Sequence, residues 1–108
     1  MNYQIKKMKH FEMSDGVALT ADLYRNGKLI AFLEDKGDGG GLAVRWAKGH
    51  VWSNPEESKH IADFYSAHAP KDHWTQEHVG ADYSDSLELQ VEWLIEMHQS
   101  KQLAKVGA

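Results

Sequence analysis

The sequence contains no cysteine. That excludes disulfides, thiolate zinc sites and thiol catalysis, and it is compatible with a reducing compartment. No apolar run approaches the ~20 residues that a membrane span needs. The N-terminus carries Lys6, Lys7 and Lys9 with no apolar stretch behind them, so it does not read as a secretory signal, and a cytoplasmic location is expected. Positive charge is not in excess. The net charge is −4 with seven His counted neutral, which weighs against direct nucleic-acid binding, because duplex affinity draws on Lys and Arg displacing counterions from phosphates. Neither a Gly-x-Ser-x-Gly elbow nor a His-Glu-x-x-His motif occurs. The expectation is a chain with no cofactor and no catalytic residues.

What is present is a globular composition. Hydrophobic residues make up 42% and charged residues 26% of 108 residues, which suits one ordered domain over residues 1–108. The strongest local signal is Asn26-Gly27 between two β-rich runs. Both residues tolerate the positive φ of a two-residue type I′ turn. Strands are expected over 5–13, 17–25, 28–35 and 42–46, with a turn at Ser14-Asp15-Gly16. A two-residue loop places Arg25 opposite Lys28, Leu23 opposite Ile30 and Ala21 opposite Phe32. Val17, Leu19, Ala21, Leu23, Ile30 and Phe32 then share an apolar face, and Thr20, Asp22, Tyr24, Leu29, Ala31 and Leu33 share a mixed one.

Helical signals follow. Asn54-Pro55-Glu56-Glu57 combines an N-cap, a first-turn proline and a capping-box glutamate. Ile61, Phe64, Tyr65 and His68 form an apolar stripe, which ends before Pro70. A last helix is expected from Asp82 or Ser84 to about Lys105. Leu87, Val91, Leu94, Ile95 and His98 lie along its apolar side, widened by Leu89, Trp93 and Met97. Strands first and helices second predict an α+β fold: an antiparallel sheet of three to four strands packed against two helices.

Candidate functional residues fall in four groups. The Gly-rich run Asp35 to Gly41 joins two strands instead of leading into a helix, so it reads as a strand connection; Asp38 and its neighbouring glycines are also where a partner would approach the backbone closely. His60, His68, His73 and His78 are the imidazoles for a metal site, but no pair has ligand spacing on one helix. They support an alternative reading as a metal-dependent enzyme. Trp52 and Trp74 flank the first helix as core lids or interface anchors. Asp85, Glu88, Glu92 and Glu96 line the polar side of the last helix as a solvated face or as an acidic patch that docks on a basic surface.

The segment Ala21 to Gly40 runs from a short strand ending in Tyr24 through a Gly turn and a second strand to a Gly-rich stretch. Over residues 18–41 it resembles small uncharacterised accessory proteins of phages and mobile elements. The resemblance implies a non-enzymatic protein that binds and blocks a host complex, an inhibitor of a defence or nucleic-acid-handling machine of the anti-CRISPR or anti-restriction type. Its working surface would be the acidic last helix, or the mixed sheet face with Tyr24 and the Gly loop. A protein partner is expected, with no membrane contact. A homodimer or larger homo-oligomer paired through an edge strand is a further alternative.

Overall fold

The computed structural model describes residues 2–13, 16–37, 41–69 and 87–103. Four strands, β1 (Tyr3–Met13), β2 (Gly16–Arg25), β3 (Lys28–Asp35) and β4 (Leu42–Trp46), precede two helices, α1 (Pro55–His68) and α2 (Leu87–Gln99). The strands pair antiparallel in chain order, β1-β2-β3-β4. This is the expected α+β arrangement.

The β2–β3 hairpin turns as the sequence predicts. Asn26 and Gly27 take φ of 52° and 81°, the left-handed values a type I′ turn demands. Beyond the turn the register departs from expectation. Arg25 faces Lys28 and Tyr24 faces Leu29, but Leu23 faces Ala31 and Ala21 faces Leu33. Ile30 is an extra residue, a β-bulge. It reverses the predicted parity of the strand after it. Ile30 stays in the core, Ala31 and Leu33 join it, and Phe32 turns outward to 36% exposure. Val17, also assigned to the apolar face, is exposed at the start of β2.

The inner sheet face carries Tyr3, Ile5, Ala21, Leu23, Ala31, Leu33 and Trp46. The helices cover it with Ile61 and Phe64 from α1 and with Val91, Trp93, Leu94 and Ile95 from α2. Trp93 belongs to an aromatic cluster. Its ring is 5.9 Å from that of Phe64 and 5.5 Å, edge-on, from that of Tyr65. Phe64 in turn meets Tyr3 edge-on at 4.8 Å. His68, expected to be half-buried, is exposed and lies against Phe64.

Helix ends follow local chemistry. The Asn54 side chain accepts from the Glu57 N–H at 3.1 Å, with Pro55 in the first turn. The reciprocal half of the capping box does not form. The Glu57 carboxylate instead takes two bonds from Arg25 at the end of β2, Nε at 2.7 Å and Nη2 at 2.9 Å. A bidentate ion pair of this kind outcompetes one neutral cap bond, and it fastens α1 to the sheet. Helix α2 stops at Gln99, short of the expected Lys105. Lys101 takes φ of 61°, the Lys101 N–H donates to the His98 carbonyl, and the Gln102 N–H donates to the Met97 carbonyl. That is a Schellman closure built on lysine where glycine is usual.

The Arg25–Glu57 pair carries a pH signature. The hydrogen bonds from Arg25 hold the Glu57 carboxyl below the ordinary glutamate range, against the opposing effect of burial. A carboxyl lowered on folding contributes stability that is complete above its ordinary value of 4.5 and is lost as pH falls through the lowered one. Glu57→Gln is therefore expected to cost about 1–2 kcal/mol at neutral pH. The gap between wild-type and variant melting temperatures should close as pH drops below that ordinary value. Thermal melts across the acid range check this; a gap that stays constant with pH contradicts it.

Candidate functional site

The sheet face turned away from the helices is assembled by a second bulge. On β1, Lys6 faces Asp22 and Lys9 faces Thr20, so Lys7 and Met8 together oppose the single residue Ala21. Lys7 sits at φ 56°, a conformation that costs a side-chain-bearing residue roughly 1 kcal/mol or more. The insertion has a consequence for charge. Residues 6 and 9 have opposite parity in a regular strand, yet here both project outward, with Lys7 beside them.

Two cross-strand rows define the face. One runs Lys6, Asp22, Phe32, Arg45 and the next runs Lys9, Thr20, Glu34, Ala43. Four cations (Lys6, Lys7, Lys9 and Arg45) therefore stand against two carboxylates, and the cations lie toward the two edges. Two of them cover aromatic rings: the Lys6 Nζ is 4.5 Å from the Tyr24 centroid and the Arg45 guanidinium is 5.7 Å from that of Phe32. Trp52 closes one side. It is held in a tight turn where its N–H donates to His50 Nδ1 at 3.2 Å and the Ser53 N–H donates to the His50 carbonyl. Its side chain remains 63% exposed. Between these groups lies a groove of about 320 Å³, lined by Lys7, Lys9, Phe32, Arg45 and Trp52 among others.

The sequence-predicted site residues divide between the two sides of the molecule. Tyr24 and Trp52 belong to the open face, and Trp52 is too exposed to act as a core lid. Glu88, expected on a solvated face, instead accepts from the Leu42 N–H at 3.1 Å and ties α2 to β4. Glu92 and Glu96 line a separate groove with Asp35 on the helix side. Burial, and then the Glu96 charge, push the Tyr65 hydroxyl above its ordinary pKa. His60 and His68 lie two turns apart on α1, about 12 Å at the helical rise. Among the described residues no three His, Asp or Glu gather in a way that could hold a metal ion. Asp38, His73, Trp74, His78 and Asp85 lie outside the described residues.

Sequence reasoning missed Lys7, Lys9, Phe32 and Arg45. The basic character of the N-terminus was visible, but its placement depends on two bulges. No described helix is long and apolar enough to cross a membrane. No family model, curated protein or solved structure matches the chain.

Proposed function

We propose that this chain is a binding protein that holds another macromolecule on the open face of its sheet. One observation carries the reading. A face with four cations, opposite in sign to the net charge of the chain, surrounds exposed aromatic side chains and a groove. Trp, Tyr and Arg are the residue types that dominate interface hot spots, and a sheet with one covered face leaves the other available. The resemblance to mobile-element accessory proteins supplies a setting: capture and inhibition of a host complex that handles nucleic acid.

The acidic-helix version of the same idea has less support, because Glu88 is engaged with β4. Affinity capture from the source organism distinguishes the two. The bait is compared with a sheet-face variant (Lys9→Glu, Arg45→Glu, Trp52→Ala) and a helix variant (Glu92→Gln, Glu96→Gln). The sheet-face variant is expected to lose the partner and the helix variant to keep it. The opposite pattern moves the site to α2, and retention by both variants ends the binding-face reading.

A further inference from the structure

We infer that the occupant of the open sheet face is an acidic protein segment, in which carboxylates alternate with apolar side chains. This rests on the binding reading above and names the chemistry of the partner.

Charge comes first. Lys6, Lys7 and Lys9 lie on the β1 side and Arg45 on the β4 side, and with Asp22 and Glu34 counted the face carries two net positive charges. The chain as a whole carries −4, and the groove on the helix side is lined by Asp35, Glu92 and Glu96. An acidic partner is drawn to the sheet face and repelled by the helix side, so charge selects the docking surface as well as speeding encounter.

The rings supply the apolar part. Phe32 and Trp52 stay exposed beside the groove. The groove volume of about 320 Å³ is at the lower end of the range for ligand clefts. It receives a few side chains from a partner rather than a whole cofactor.

Single-stranded nucleic acid is the other polyanion to weigh, and two observations disfavour it. Sequence-tolerant binding of single strands relies on open ring faces for base stacking. The rings of Tyr24 and Phe32 are already covered by Lys6 and Arg45, so of these three aromatic side chains Trp52 alone offers an open ring. A base must displace those cations, whereas a carboxylate pairs with them and leaves both stacks in place. Asp22 and Glu34 also sit on the two central strands, across the path that a phosphate chain would take. Backbone N–H groups of a protein segment can satisfy them.

The test selects short peptides from a random displayed library on the immobilised 108-residue chain, and the winners are then assayed against the Lys9→Glu/Arg45→Glu variant. Expected winners are enriched in Asp and Glu interspersed with aromatic or aliphatic residues. They should bind the double variant at least about tenfold more weakly and weaken as salt rises. A labelled oligothymidylate is titrated alongside. Tighter binding of the oligonucleotide than of the selected peptides overturns the inference in favour of nucleic acid. Enrichment of neutral or basic peptides, no enrichment at all, or equal binding to the double variant overturns it as well. Both substituted side chains are solvent-facing, and a Lys9→Gln/Arg45→Gln variant repeats the comparison if charge reversal disturbs the fold. The capture experiment above separates the two failures. A partner lost by the sheet-face variant while the library yields no acidic peptides removes this occupant and leaves the binding reading standing.

Discussion

Replacing Trp93 by alanine is expected to lower the unfolding free energy by about 3–5 kcal/mol. The indole is buried and is in ring contact with both Phe64 and Tyr65. Phe64 connects through Tyr3 to the first strand, so the hole would open where both helices meet the sheet. Domains of this size hold about 5–15 kcal/mol in total, and the loss would consume a large share of it. Trp52→Ala is the matched comparison. Its side chain is mostly in water, and the expected change is within about 0.5 kcal/mol. Urea titrations of the two variants check the contrast. Equal effects would place Trp93 outside the core or Trp52 inside it.

A large loss is also expected from Gly37→Ala, about 2–3 kcal/mol. Gly37 adopts φ of 75°, and a Cβ built there would lie 2.9 Å from the Ala18 nitrogen and from the Val17 carbonyl carbon. Both neighbours belong to the backbone of β2 and have no rotamer with which to move aside. The Gly37 N–H is also fixed by the Asp35 side chain at 2.8 Å. Gly27→Ala isolates the two contributions. Gly27 has a similar φ of 81° but nothing within 4 Å of an added Cβ. Its cost should be that of the backbone conformation alone, about 1 kcal/mol. If thermal melts show the two alanine variants equally destabilised, the contact between Gly37 and β2 is not present in solution. The close neighbour of this glycine is β2 of the same chain.

The two strongest sequence signals were those whose physics is local. The Asn26-Gly27 turn and the Asn54-Pro55 helix start each depend on residues within three positions of one another, and both formed. The apolar side of the last helix was legible for the same reason, because Leu87, Val91, Leu94 and Ile95 recur at intervals of three and four. The bulge at Ile30 was not legible. Leu29, Ile30, Ala31, Phe32 and Leu33 are all apolar, so the strand lacks the alternation that would set its register. Tertiary packing chose which of them to bury.

The candidate site was hidden for a related reason. Lys6 and Lys9 share a face only because Lys7 takes a left-handed conformation, and nothing in the residue type announces that. The same applies to Lys101 at the end of the last helix, where glycine would have given a stop signal. The partnership of Glu57 with Arg25 spans 32 residues and overrode a plausible local role. Short-range patterns therefore located the elements, while long-range contacts decided which side chains they present.

The kink at Lys7 also bears on how these molecules behave when crowded. Among the described residues the first strand forms one border of the sheet, and a long, straight border invites a neighbour to extend the ladder. Here the border is bent in its middle and studded with ammonium groups, so a second molecule meets repulsion and a mismatched row of amides. A concentrated stock is therefore expected to resist fibre growth from that rim, because the lysines of the broad side also repel a sibling at the hem.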